Sequence, residues 1–188
     1  MLSEGTLKVI VHSARHLANV EHAGGENDPY VKLSLTHEGE ESYQRTTVKD
    51  DAGAQASWDE TFEFAYNGEP NLYIEVMDQE TGVDELIGFA AIPLAQAPVS
   101  GIFDIFTVKG EIAGAVHISI NDDGSSEPVP GTSFVDEEHQ EVAKKLRNKA
   151  IAGDVAEGLL AAGLAVGAGF LGKKLFDEYK AKKAEEEA

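Results

Sequence analysis

"LYIEVMDQETGVDELIGFAAIPL", residues 72–94, sets two apolar runs on either side of a short stretch bearing four carboxylates, Asp78, Glu80, Asp84 and Glu85. "LYIEVM" and "LIGFAAIPL" have the composition and bounded length of short strands. The stretch therefore reads as strand, acidic loop, strand. Clustered carboxylates repel one another, and a cation or a helix terminus is the usual compensation for holding them together.

Working outward, the same grammar recurs on both sides. "TLKVIVHS", "YVKLSL" and "TFEFAY" alternate, the last placing Phe62 and Phe64 on one face, and "SYQRTTVK", "GIFDIFTV" and "AGAVHISI" bring the count to about eight strands. Gly, Pro, Asp and Asn turns separate them. The fold class expected is mainly β, an eight-stranded antiparallel β-sandwich, followed by a C-terminal α-helical extension. Composition shifts at "NDDGSSEPVPGTS", residues 121–133, where Gly, Ser and Pro cluster as in a linker. The division expected is a sandwich over 1–122, a linker over 123–133 and a helical extension over 134–188.

Within the extension, Ser133 followed by Asp136, and Asp154 followed by Glu157, each have capping spacing and predict two helices. The run "GLLAAGLAVGAGFLG", residues 158–172, is apolar and glycine-rich. Glycine disfavours an isolated helix by up to about 1 kcal/mol per residue. Close backbone packing would explain it, since Gly163 and Gly167 are four apart, as are Ala161, Ala165 and Gly169. A run of this length rises about 22 Å, short of a hydrocarbon core of roughly 30 Å, which argues against a full span. A helix packed on its neighbour or the sandwich, an interfacial or re-entrant helix, and self-association through 154–176 are the alternatives.

The chain carries 15 Lys plus Arg against 34 Asp plus Glu, a net charge of −19. Most of the excess lies before residue 125, where 6 basic and 22 acidic residues give −16. Such a chain does not attract nucleic acid, and it favours metal cations and basic partners. It has no cysteine, which fits a reducing compartment. The start lacks a basic segment followed by an apolar one, so no secretory signal is expected and the cytoplasm is the default.

Loops of a sandwich gather at its two ends, so carboxylates distant in sequence can meet. The loop "NVEHAGGENDPYVKL" offers Glu21, Glu26 and Asp28, and the opening stretch offers the rest. Calcium takes six to eight oxygen ligands, more than either loop supplies alone.

"GTLKVIVHSARHL" leading to "NDPYVKLSL", then "SWDETFEF", then the opening stretch resemble the C2 domains, over residues 4–120. The order of strands looks like the circularly permuted variant called type II. The resemblance implies an eight-stranded sandwich whose loops at one end hold calcium and dock on phospholipid headgroups. Carried over residue by residue, it places Asp28 and Asp78 on two of the five acidic positions. Glu21 falls near another, Glu80 stands where Asp is usual, and the last is either Asp84 or Glu85. Glu carries its carboxylate about 1.5 Å farther out than Asp, an adjustment that calcium's flexible coordination tolerates at some cost in affinity. At the loop tips His22, Ala23 and Val83 imply shallow insertion. A basic groove used by some members would correspond here to Lys32, Arg45 and Lys49, with Arg45 and Lys49 on one strand face; ordinary solvated charges are the other reading.

Six histidines show no metal-ligand spacing, and His12 and His16 read as strand-end residues. There is no nucleophile elbow, phosphate loop or dinucleotide fingerprint. The expectation is a non-enzymatic, calcium-dependent module that attaches peripherally to anionic phospholipid membranes from the cytoplasm. The alternative is a calcium-independent interaction or structural protein that oligomerises through its glycine-rich helix.

Overall fold

The computed structural model describes residues 2, 4–21 and 24–161, with the backbone alone for 152–161. Among them nine strands and one α-helix follow in chain order. The strands are β1 (Gly5–Arg15), β2 (Pro29–Ser34), β3 (Gln44–Arg45), β4 (Ala56–Tyr66), β5 (Asn71–Asp78), β6 (Glu85–Pro93), β7 (Val99–Phe106), β8 (Ile112–Ile120) and β9 (Val129–Pro130), and the helix is α1 (Glu137–Ala161). Neighbouring strands run β3-β2-β5-β6-β7-β8-β1-β4, with β9 added in parallel against β7. The other pairings are antiparallel, and β6 meets β7 at one residue pair, Phe89 with Phe106. The ladder turns a corner there, giving two four-stranded layers. This is the expected eight-stranded antiparallel sandwich.

Alternation builds the core. Leu7, Val9 and Val11 of β1 are fully buried, and Val9 and Val11 pair with Ile120 and Ile118 of β8, also fully buried. From the other layer Val31, Leu33, Ile74 and Val76 point into the same core. Burying one such side chain stabilises the fold by roughly 1.5–3 kcal/mol.

β2 and β5 nevertheless bury both of their faces. Tyr30, Lys32, Tyr73, Glu75 and Met77 lie outside that core set yet are shielded from solvent. α1 supplies part of the cover, presenting His139, Ala143 and Ala150, all buried, at helical spacing on one face. His139 meets Tyr73 and Phe89 edge-on, each at 5.1 Å between ring centroids.

Four expectations are corrected here. Asp136, not Ser133, caps α1: its Oδ1 accepts the His139 N–H at 2.9 Å, whereas the Ser133 hydroxyl donates to the Asp104 carbonyl at 2.7 Å. The helix continues through Asp154 to Ala161, so the predicted break there is absent. β3 is far shorter than "SYQRTTVK", because the Thr46 side chain accepts the Val31 N–H at 2.9 Å in place of a backbone carbonyl and ends the regular ladder. Lys49 thus lies beyond the strand rather than sharing a strand face with Arg45.

The segment before α1 is laced to the sandwich. Gly131 donates to Ile102 O at 2.8 Å, Phe134 and Ala91 exchange two backbone hydrogen bonds, and the Gln96 side-chain amide donates to Thr132 O and accepts from the Thr132 N–H. A side chain at position 131 would collide with the Phe103 ring, which explains glycine there. Most of the glycine-rich run, and with it the small-residue face proposed for self-association, lies outside the described residues, as do His22 and Ala23.

Candidate metal centre

Antiparallel order puts the β1–β2, β3–β4, β5–β6 and β7–β8 connections at one end of the sandwich. Asp78 and Glu85 are paired at the mouths of β5 and β6, so residues 79–84 form a hairpin loop. Pro29 pairs with Asp78 across β2 and β5, and Gln79 donates its N–H to Asp28 O at 3.0 Å. The two acidic loops are therefore held side by side by the sheet beneath them.

Asn27, almost wholly buried, shapes the first loop: its amide donates to Ala18 O at 2.9 Å and accepts from the Val20 N–H at 3.1 Å. That closure folds the loop back and brings Glu21 over Asp78. Carboxylate oxygens of Glu21, Asp78 and Glu80 lie within 4.8 Å of one another. Asp78 has no exposed surface. Its Oδ1 accepts the Asp28 N–H at 2.6 Å, while its Oδ2 is buried without a hydrogen-bond partner among the described residues.

Burial pushes the Asp78 carboxyl up to about 6; the Asp28 N–H opposes this, and the charges of Glu21, Asp28 and Glu85 add to it. Burial likewise raises Glu80 to about 7, helped by the charges of Glu21 and Asp78, a hydrogen bond with Glu21 and the charge of Glu85. Three crowded carboxylates and an orphaned buried oxygen form a site whose electrostatics are relieved by a proton or a cation. The all-oxygen donor set suits a hard divalent cation such as calcium.

The other predicted ligands stand outside that triangle. Asp28 Oδ1 accepts the Asp51 N–H at 2.6 Å, which joins the β3–β4 connection to the first loop. Asp84 accepts the Tyr30 hydroxyl at 2.5 Å and the Glu80 N–H at 3.0 Å, so it braces the hairpin loop. Glu85 contributes its charge from the start of β6. Asn27, Tyr30 and Asp51 are thus parts of the site that charge-counting misses, because two act through polar side chains and one through its backbone.

The basic groove residues do not form one exposed patch. Lys32 is 6% exposed, and its ammonium lies 2.9 Å from Glu40 Oε2 and 3.1 Å from Glu75 Oε2. Arg45, exposed, stacks over the Tyr30 ring at 5.4 Å, and Lys49 is half-buried. Val83 lines a cavity of about 350 Å³ together with Tyr30, Lys32, Arg45, Leu146 and Lys149.

Glu75, inside the apolar run "LYIEVM", was not singled out by sequence. It is completely buried and bonded at 3.1 Å to His139 Nε2, with Lys32 on its other oxygen. Burial would raise this carboxyl, yet the His139 hydrogen bond and the Lys32 charge outweigh it and hold it below the usual range. Lys32 is lifted above its ordinary value, the pull of Glu75 and Glu40 overcoming burial.

His12 is not a strand-end residue: it lies within β1, stacked on His117 at 4.3 Å and hydrogen-bonded to Asp59 at 2.8 Å and Ser119 at 2.9 Å. Ser119 is fully buried, so this Ser–His–Asp chain ties β8, β1 and β4 together rather than presenting a nucleophile.

Among the described residues no helix is long and apolar enough to cross a membrane. The C2 domain family model matches residues 5–111. The chain is 37% identical over 105 residues to human unc-13 homolog D, a match covering 51% of this chain and 10% of that protein. It is 31% identical over 93 residues to elicitor-responsive protein 3 of japonica rice, covering 48% and 61%. The chain thus spans a small part of the first relative and under two thirds of the second. Its fold is similar to that of a C2 domain from plant extended synaptotagmin 1, with a TM-score of 0.54 at 20% identity over 70% of this chain and 98% of that one. It is also similar to a calcium-bound structure of two C2 domains of extended synaptotagmin 2, with a TM-score of 0.52 at 18% identity over 63% and 45%. With three sequence motifs in order, a matching sandwich and a family model spanning more than half its length, the chain belongs to the C2 domain family.

Proposed function

We propose that this protein is a non-enzymatic, calcium-dependent module that attaches peripherally to anionic phospholipid on the cytoplasmic side of membranes. The observation that carries this reading is the buried Asp78 Oδ2, without a hydrogen-bond partner among the described residues, within a triangle of three carboxylates. Glu21, Asp78 and Glu80 would hold the ion, with Asp28, Asp84 and Glu85 adding to the field around it. Bound calcium supplies positive charge and open coordination positions for phosphate oxygens.

The chain's own residues prepare that event. Asp28 N–H orients Asp78, Asp84 fixes the hairpin loop through Glu80 N–H, and Asn27 holds the loop bearing Glu21. With −16 charges before residue 125, the end repels an anionic bilayer until the carboxylates are neutralised.

Titration calorimetry with calcium, and sedimentation with phosphatidylserine vesicles, test the reading. Asp78→Asn with Glu80→Gln should abolish both the calcium heat and the calcium-dependent pelleting. A wild-type protein that takes up no calcium, or a double variant that pellets normally, overturns it.

A further inference from the structure

We propose that Lys145, Arg147 and Lys149 of α1 form, together with the calcium-site loops, one continuous docking surface for an anionic phospholipid bilayer. This rests on the membrane-docking reading above, and extends it to an element outside the matched residues 5–111.

Three observations place the helix there. His139 is pinned to Glu75 on β5, and one residue on, the Gln140 amide donates to Val108 O at 2.8 Å. Val108 belongs to the β7–β8 connection, which shares an end with the acidic loops. From that anchor the helix brings Leu146 and Lys149 to the cavity bordered by Gly82, Val83 and Asp84. Arg147 borders a second cavity of about 200 Å³ with Val20, Leu86 and Lys109. One helical turn thus lies against the flanks of both loops that carry Glu21 and Glu80.

The charge pattern selects the partner. Residues 144–149, "KKLRNK", carry four basic side chains, against six in the whole of residues 1–124. Lys144 is engaged by Glu141 at 2.7 Å, whereas Lys145, Arg147 and Lys149 are exposed. Before calcium binds, the acidic loops offset these cations. A bound cation offsets part of the loop charge and leaves these three exposed cations beside it, which suits an extended anionic surface touching loops and helix at once.

The test uses the full chain and vesicles of phosphatidylcholine with or without phosphatidylserine. Lys145→Gln/Arg147→Gln/Lys149→Gln is compared with Lys8→Gln, which changes an exposed residue of β1, and with Lys145→Arg/Lys149→Arg, which keeps the charge. Circular dichroism and a melting curve establish that each variant is folded. The triple variant should bind phosphatidylserine vesicles roughly 10- to 100-fold more weakly in calcium, three charges near the surface being lost. Its calcium uptake without lipid should stay close to wild type, and the two controls should bind vesicles normally.

Vesicle binding by the triple variant equal to wild type overturns the proposal while leaving the calcium reading intact. Binding that is independent of calcium yet lost in the triple variant supports the helix surface and overturns the calcium reading. A wild-type chain that binds no vesicle under either condition overturns both. Wild-type binding suppressed by an equal charge of poly-glutamate but indifferent to phosphatidylserine content assigns the surface to an acidic polypeptide, and overturns the bilayer as partner.

Discussion

Asp78 keeps one carboxylate oxygen on the Asp28 N–H and buries the other without a partner among the described residues, so ionising it without a cation costs free energy. Its acidity records that cost: the folded carboxyl is raised to about 6. A carboxyl raised on folding gives stability that is present below its unfolded pKa and lost as pH rises through the folded value, so near neutrality Asp78 is a net liability. Asparagine has the same shape and keeps an acceptor for the Asp28 N–H. Asp78→Asn should therefore raise stability in chelator by about 1 kcal/mol while removing the stabilisation that calcium adds. Urea unfolding with and without calcium measures both, and a variant less stable in chelator would contradict the argument. Asp78 stands out in the sequence as a candidate because its loop is dense in charge. The bracing role of Asp84 was not, because its partner Tyr30 lies 54 residues away.

At the scale of elements, the strands were legible and the seating of the helix was not. Period-two alternation follows from a two-faced sheet, so one sequence marks its own strands. The buried contacts of α1 are His139, Ala143 and Ala150, none of them a large apolar residue, with Leu146 only half-buried beside them, and its anchor is a glutamate inside a strand. Nothing local announces such a pair. Because Glu75 is held below its usual range, its contribution is present above the unfolded carboxyl pKa and is lost as pH falls through the lower folded value. Glu75→Gln should cost about 3 kcal/mol at neutral pH, leaving Lys32 with one carboxylate and His139 with a weaker partner. The difference from wild type should shrink below about pH 4, where the carboxyl of the unfolded wild-type chain begins to protonate while the folded one is still ionised. Urea titrations across that range check the sign; a constant difference would show that only shape matters. His139→Ala should release the helix before the sandwich. Trp58, the single tryptophan, is buried in the core, so its fluorescence reports the sandwich while far-ultraviolet circular dichroism reports the helix. In His139→Ala the helical signal should melt at lower temperature than the fluorescence; coincident transitions would mean that helix and sandwich form one cooperative unit even without the pin.

For the molecule as a whole, a charge of −19 is unevenly opposed. Ion pairs among the described residues are few, and the exposed ones, such as Lys144–Glu141, are each worth about 0–1 kcal/mol. The buried Lys32–Glu75 pair is screened little by salt. Self-repulsion, concentrated at the end that carries Glu21, Asp78 and Glu80, therefore governs the response to ionic strength. In chelator the urea midpoint should rise as sodium chloride goes from about 20 mM to about 300 mM, since the screening length falls from roughly 20 Å to under 10 Å. Calcium relieves the same repulsion locally, so the stabilisation it adds should be largest at low salt and shrink as salt increases. Asp78→Asn should keep the salt response of the remaining charges but lose the calcium increment. A midpoint that falls with salt would mean that attractive pairs outweigh the net charge. A calcium increment unaffected by salt would mean that the ion acts through coordination geometry alone rather than by neutralising the acidic end.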